Sequence, residues 1–200
     1  LLERAISPPH FPVTPSELGN WTFSTIEEGT HELEGFSVAA LEIPHKGGRT
    51  FGYRVSDGDS SIAYLSDHCP MALGPGPKGI GHLHDKALQL ASGVDLLIHD
   101  AQYLAGELPG RWHYGHSSPE YALDLGLAAG SREVVFFHHA QERTDSELDD
   151  LAERFAGSPA PVRLAYDGLS LDVGRSPLDP GPSKAPAHPP QLGEWDSSGS

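Results

Sequence analysis

Four ionisable residues stand at equivalent places in the sequence, each just after the last apolar residues of a short apolar run. They are His45 after ALEIP, Asp67 after IAYLS, Asp100 after DLLIH and His138 after VVFF. A single residue of this kind usually makes a structural hydrogen bond. Four brought together would be costly to bury unless a cation or hydrogen-bonding partners held them. Imidazole nitrogen and carboxylate oxygen together suit Zn²⁺ or a similar divalent ion, so the pattern predicts a metal site.

A fifth candidate is His116 in GHSSP, which immediately precedes a predicted helix. Backbone amides at a helix N-terminus bind anions, so an imidazole there could face a bound anion. The other interpretation is that His116 lies in an ordinary loop and that Ser118 is simply the helix cap. The cap role of Ser118 holds in either case. The aromatic residues 112–114 just before His116 form either a pocket wall or a packed loop.

The apolar runs predict the strands that would bring these residues together. Turn compositions bound three predicted antiparallel strands, at 36–43, 50–55 and 61–66. Later runs predict strands at 94–99, where His99 would be buried, and at 133–138, with VRLAY and LSLDV completing the sheet. Early hairpins followed by strand–helix alternation predict a layered α/β fold. In such folds, strand ends are where sites are built.

Three helices are predicted between the later strands, at 84–91, 117–130 and 144–157. The second has the clearest limits, because Ser118 can cap it, Pro119 suits its first position and Gly130 can end it. In the third helix, Thr144 and Glu147 have the spacing of a capping box.

Composition narrows the class of protein. Lys and Arg number 13 against 28 Asp and Glu, a formal charge of −15. Phosphate contacts need clustered basic residues, so an extensive nucleic-acid surface is not expected. No apolar run is long enough to cross a membrane and no signal peptide opens the sequence. The single cysteine, Cys69, fits a reducing compartment. We therefore predict a cytoplasmic protein with no membrane partner.

Several motifs together resemble a known family. IPHKGGRTFGYRV, IAYLSD, DLLIHDAQY, GHSSPEYALDLG and VVFFHHAQERTDSELD are similar to the second half of a metallo-β-lactamase-fold hydrolase, of the phosphodiesterase and ribonuclease Z-like branch. The resemblance covers about residues 33–173. It implies an α/β fold, a four-layer αββα sandwich, with a site for one or two metal ions between two sheets. Zn²⁺ is the expected metal, with Mn²⁺ or Fe as alternatives.

The resemblance also implies metal ligands. His45 matches the histidine that binds the first metal, and Asp67 matches the carboxylate that bridges both metals. His138 matches the last histidine, on the second metal. His139 is the alternative at this position, although side-chain alternation along a strand points the two in opposite directions.

Two further residues match catalytic positions of the family. His116 matches a histidine that is not a ligand and that contacts the scissile phosphate or the leaving group. Asp100 matches an acidic position that would orient His116 or a metal-bound histidine.

One departure from the family is large. Its H-x-H-x-D-H signature, which supplies ligands to both metals and should precede His45, does not occur in the sequence. His82 and His84 imitate its spacing, but they follow Asp67 and open a predicted helix, so we interpret them as surface residues. The sequence also begins at Leu1 rather than Met. We therefore expect 1–174 to be the C-terminal portion of the domain, with the N-terminal part outside this chain, and 175–200 to be a Pro-, Gly- and Ser-rich disordered tail.

The predicted function is metal-dependent hydrolysis by a metal-activated water, on a phosphodiester that is small or resembles a cyclic nucleotide. Hydrolysis of a lactone, thioester or β-lactam on the same metals is one alternative, and a non-catalytic sensor or interaction domain is the other. The partner would then be a small-molecule or phosphodiester substrate, and a homodimer is conceivable. With only three direct ligands, the fragment alone should bind metal weakly and be inactive.

Overall fold

A computed structural model describes residues 7–9, 12–17, 19 and 24–174. The predicted tail at 175–200 lies outside the described residues. Seven strands form one sheet, and each pairs with its neighbours in the chain. The strands are β1 Gly29–Leu33, β2 Phe36–Ile43, β3 Thr50–Ser56, β4 Ser61–Leu65, β5 Leu96–Asp100, β6 Glu133–Phe137 and β7 Val162–Leu164.

The sheet changes direction at β4. Strands β1 to β4 are antiparallel and are joined by short turns, whereas β4 to β7 run parallel. Parallel neighbours need crossover connections, and helices supply them. The helices are α1 Asp85–Ala91, α2 Leu108–Arg111, α3 Pro119–Ala129 and α4 Asp145–Phe155. The mixed α/β arrangement and the order of its elements agree with the sequence prediction.

The three longer helices pack against one face of the sheet, where the core lies. The core joins strand residues such as Leu65, Leu97 and Phe136 to residues of α1, α3 and α4. Gly52 in β3 lets α1 approach closely, because a Cβ at Gly52 would lie 2.8 Å from Cδ1 of Leu90. The opposite face carries half-buried apolar side chains, among them Tyr64 and Phe137 in ring contact at 5.7 Å. The described residues thus contain one helix layer and one sheet layer of the four predicted.

The predicted caps are present on α3 and α4. The hydroxyl of Ser118 accepts a hydrogen bond from the backbone N–H of Tyr121, and Gly130 ends α3 with a left-handed backbone (φ 69°). Thr144 begins α4 with a full capping box. Both helices therefore begin where the sequence predicts, and α3 ends at Gly130 as predicted, whereas α4 ends at Phe155, two residues before its predicted limit.

The sequence prediction differs from the structure at both edges of the sheet, where one strand was missed and one predicted strand is absent. β1 was not predicted, because GTHEL is a mostly exposed edge strand whose polar residues give no hydrophobic alternation. LSLDV at 169–173 forms no strand, since the chain turns at Gly168 (φ 89°) after the short β7. Among the described residues, no helix is both long enough and apolar enough to cross a membrane.

Candidate metal and catalytic site

The sheet topology brings four strand ends to one edge. β2 is antiparallel to β3 and β3 to β4, so the carboxyl ends of β2 and β4 lie at the same edge. The parallel strands β5 and β6 end there too. His45, Asp67 and His138 follow β2, β4 and β6, and Asp100 is the last residue of β5. His116 reaches the same edge from the loop before α3.

The five predicted residues form two overlapping groups of donor atoms. One contains His45, Asp67 and His116, the other Asp100, His116 and His138, and within each group the donor atoms lie within 4.8 Å of one another. Oδ1 of Asp67 lies 3.4 Å from Nε2 of His138. It lies 3.9 Å from Nδ1 of His116. The structure therefore places all five residues in one cluster, while the division into metal ligands and catalytic residues stays a prediction.

Two of these residues have a backbone conformation that L-amino acids rarely adopt. Asp67 has a φ of 55° and His138 a φ of 61°, both in the left-handed region. Such a conformation costs of the order of 1–3 kcal/mol per residue and persists only where surrounding structure enforces it. Both residues lie within two residues of a strand end, and Oδ1 of Asp67 faces Nε2 of His138.

His45 is held by the loop that carries His116. Its Nδ1 donates a hydrogen bond of 2.7 Å to the carbonyl oxygen of Gly115. A carbonyl can only accept, so Nδ1 carries the proton and Nε2 keeps a free lone pair. Gly115 has a φ of 98°, and a Cβ there would lie 2.8 Å from Cε1 and Nδ1 of His45. This glycine therefore permits the contact, and sequence reasoning gave it no role.

Asp100 is fully buried, and its carboxylate is satisfied by hydrogen bonds. One oxygen accepts the backbone N–H groups of Gln102 and Ser117, each at 3.1 Å. The other lies 2.7 Å from Nδ1 of His116. Burial works against protonation of His116, but its hydrogen bond to Asp100 and the charges of Asp100 and Asp67 raise its pKa above the ordinary value.

His138 has a partner that sequence reasoning missed. The side-chain amide nitrogen of Gln102 lies 2.8 Å from Nδ1 of His138, which leaves Nε2 facing Asp67. Gln102 lies in the quoted HDAQY motif, but an isolated glutamine gives no signal of its own. His139 belongs to neither donor group of the described residues, and burial lowers the pKa of its imidazole.

A pair of buried histidines lies behind the site on the helix side of the sheet. His99 Nδ1 donates to the backbone carbonyl of Asp100 at 2.7 Å, so its Nε2 accepts from Nδ1 of His68 at 2.9 Å. Both rings are fully buried, as predicted for His99, and desolvation lowers the pKa of each. The pair supports the end of β5. The pairing of His68 was not predictable, because the sequence pattern points to its neighbour Asp67 and gives no separate signal for His68.

The histidines at 82 and 84 lie outside both donor groups of the described residues. His82 is exposed, as predicted. His84 is half-buried with its ring 5.8 Å from that of His68, so its interpretation as a surface residue is wrong. It occupies the N-cap position of α1 without a side-chain capping hydrogen bond, and its backbone N–H donates to the hydroxyl of Tyr121.

Residues 8–139 match the family described as the beta-lactamase superfamily domain. A ribonuclease Z from a Cyanothece species is 30% identical over 92 residues, which cover 44% of this chain and 29% of that protein. A ribonuclease Z from Bacillus velezensis is 24% identical over 194 residues, covering 78% of this chain and 63% of that protein. This chain therefore spans less than two thirds of these relatives.

Solved structures share the fold. The metallo-β-lactamase fold protein YhfI from Bacillus subtilis superposes with a TM-score of 0.53 at 18% identity, over 70% of this chain and 51% of that one. The short form of human tRNase Z gives 0.50 at 22% identity, over 72% and 46%. A diphosphatase of the PhnP family gives 0.51 at 21% identity, over 73% and 46%. The predicted metallo-β-lactamase-type fold is therefore confirmed.

The prediction about partners is wrong. From the net charge it expected no extensive nucleic-acid surface and favoured a small-molecule or small phosphodiester substrate, yet the similar proteins are ribonucleases by name. Net charge sums over the whole surface, whereas a substrate meets only the residues around the site. The family match covers more than half of the sequence and the solved structures share its fold. This chain belongs to the β-lactamase superfamily and has the metallo-β-lactamase fold.

Proposed function

We propose that this chain forms part of the active site of a metal-dependent hydrolase that cleaves a phosphodiester bond in RNA. The observation that carries the proposal is the meeting of five histidine and aspartate side chains from four strand ends and one loop at a single edge of the sheet. The similarity to ribonuclease Z supports RNA as the substrate class.

The residues present fit a bound divalent metal. His45 offers a free Nε2, because Nδ1 is occupied by Gly115, and Asp67 offers a half-exposed carboxylate. His138 directs Nε2 toward that carboxylate, and Nε2 would have a free lone pair for a metal with the Gln102 amide turned over so that its oxygen accepts from Nδ1. These three residues would hold the metal, with Zn²⁺ favoured by the mixed donors and Mn²⁺ or Fe as alternatives. A bound zinc ion would supply hydroxide near neutral pH, since it lowers the pKa of its water to about 7.

His116 is suited to donate a proton to the leaving oxygen. Its Nδ1 faces Asp100, so Nε2 is the atom free to reach a substrate. The raised pKa of His116 keeps a larger fraction of the imidazole protonated near neutral pH, as a general acid requires. Asp100 fixes the ring orientation and is itself held by two backbone N–H groups.

The sequence lacks the H-x-H-x-D-H motif that the resemblance implies. Activity is therefore proposed for the protein in which this chain is combined with that motif, and the isolated 200 residues are expected to bind metal weakly. A non-catalytic role is the competing proposal, and a natural protein without such a motif would favour it.

The experiment compares hydrolysis of a short RNA, bis-p-nitrophenyl phosphate, nitrocefin and a lactone by the metal-loaded protein in which this chain is combined with the H-x-H-x-D-H motif. We expect diester hydrolysis that is lost on chelation and in Asp67→Ala. The matched control is Asp59→Ala, which removes an exposed carboxylate from the β3–β4 turn and should keep full activity. Diester hydrolysis unaffected by both chelation and Asp67→Ala would refute the proposal, as would hydrolysis confined to nitrocefin or the lactone.

A further inference from the structure

Two large aromatic side chains stand exposed beside the site. Trp112 is 44% exposed and Tyr114 is 51% exposed, and both belong to the single 3-10 turn Trp112–Tyr114. The turn is followed at once by Gly115, which contacts His45, and by His116. Exposed aromatic rings grouped next to a site commonly mark a surface that binds a ligand.

The turn is attached firmly to the catalytic residues. The carbonyl oxygen of Trp112 accepts hydrogen bonds from the N–H of Gly115 at 3.0 Å and from the thiol of Cys69 at 3.6 Å. The ring of Tyr103 lies 6.3 Å from that of Tyr114 and 6.1 Å from that of His116, between centroids. The turn and the Tyr114 ring therefore keep a fixed position relative to His116.

A cation accompanies these rings. Lys46 is exposed, follows His45 directly, and places Nζ 5.6 Å from the centroid of the Tyr114 ring. None of the ion pairs among the described residues involves Lys46. A protein with a formal charge of −15 thus leaves an uncompensated lysine beside aromatic rings at the site. Aromatic rings together with a nearby cation are the combination that binds single-stranded nucleic acid.

We propose that Tyr114 and Trp112 stack on nucleobases that flank the scissile phosphate, and that Lys46 contacts a neighbouring backbone phosphate. These residues would determine specificity for single-stranded RNA, since stacking needs bases that are not paired in a duplex. The inference rests on the proposed function and specifies the substrate of the same site.

The test uses the metal-loaded protein in which this chain is combined with the H-x-H-x-D-H motif. It measures kcat/KM on a short RNA whose cleavage position has been mapped. The second substrate is the same RNA with an abasic ribose on either side of that position. Wild type should cleave the abasic RNA less efficiently by about 5- to 150-fold for each stacked base that is lost. Tyr114→Ala and Trp112→Ala should each lower cleavage of the unmodified RNA by that factor and reduce the discrimination between the two substrates, and the double variant should discriminate little. Tyr114→Phe retains the ring and should behave as wild type.

The matched control is Phe36→Ala, which removes a 46% exposed ring at the opposite end of β2. It should leave both rates unchanged. Equal cleavage of the two RNAs by wild type would overturn the stacking proposal while leaving the hydrolase intact. Equal losses on both substrates in Tyr114→Ala would also overturn it, because they indicate damage to the site. If wild type cleaves no diester at all, the proposed function itself fails.

Discussion

Replacing Gly115 by alanine would add a methyl group between the loop before α3 and the imidazole of His45. Two features of the structure oppose it. The backbone of Gly115 has a φ of 98°, and the new Cβ would lie 2.8 Å from two ring atoms of His45 and from Cβ of Lys46. The variant must therefore change the backbone, the His45 ring position or both.

The expected cost has two parts. A left-handed backbone disfavours an L-residue by about 1–2 kcal/mol. Displacement of the ring breaks the hydrogen bond from His45 to the carbonyl oxygen of Gly115, which is worth about 0.5–1.5 kcal/mol. The free energy of unfolding of Gly115→Ala should therefore fall by about 1.5–3.5 kcal/mol. Metal affinity should fall about 10- to 100-fold, the usual effect of losing the partner that orients a metal-binding histidine.

Zinc affinity would be measured by competition with a chromophoric chelator, and stability by urea unfolding in EDTA. Gly110→Ala is the neutral control, because a Cβ at this position in α2 meets nothing within 4 Å. Gly126→Ala is the control for stability, since its Cβ would lie 2.5 Å from Cγ2 of Val134 in the core, remote from the site. Gly126→Ala should lose stability and keep its zinc affinity. Wild-type zinc affinity in Gly115→Ala would refute the placement of His45 at the metal.

Three further outcomes follow from the geometry. Asp100→Asn removes the charge that raises the pKa of His116, so NMR titration of the metal-free variant should give a lower pKa for His116 than in wild type. An unchanged pKa would contradict the interaction between Asp100 and His116. Burial lowers the pKa of His68 and His99 below the ordinary histidine value of about 6.5, so the stability they contribute is present above that pH and is lost as the pH falls. Urea unfolding should show a loss of up to about 1.4 kcal/mol per pH unit for each proton taken up, and a flat profile would contradict neutral burial. Thr144→Ala removes the cap of α4 and should cost about 1 kcal/mol without changing zinc affinity, both measured as for Gly115→Ala.

Apolar runs made much of the site predictable. His45, Asp67 and His138 were identified because each follows a run that forms β2, β4 or β6. Their meeting at one edge depends on the order and direction of the strands, which came from the resemblance to a family. The caps of α3 and α4 were predictable from a few adjacent residues, since capping is local.

The remainder depends on contacts between distant segments. Gln102, just after β5, reaches His138, just after the neighbouring strand β6, and Gly115 meets His45 from a loop 70 residues away. Neither residue type signals such a contact in the sequence. The pairing of His68 with His99 likewise arises only once β4 and β5 lie side by side.

The left-handed backbones of Asp67 and His138 have a consequence for engineering. Glycine adopts this conformation without penalty, so a library selected for thermostability alone should accumulate glycine at both positions. Each such variant would have a higher melting temperature and would lack a donor atom that the proposed chemistry needs. Any screen for a more stable variant must therefore leave Asp67 and His138 unchanged.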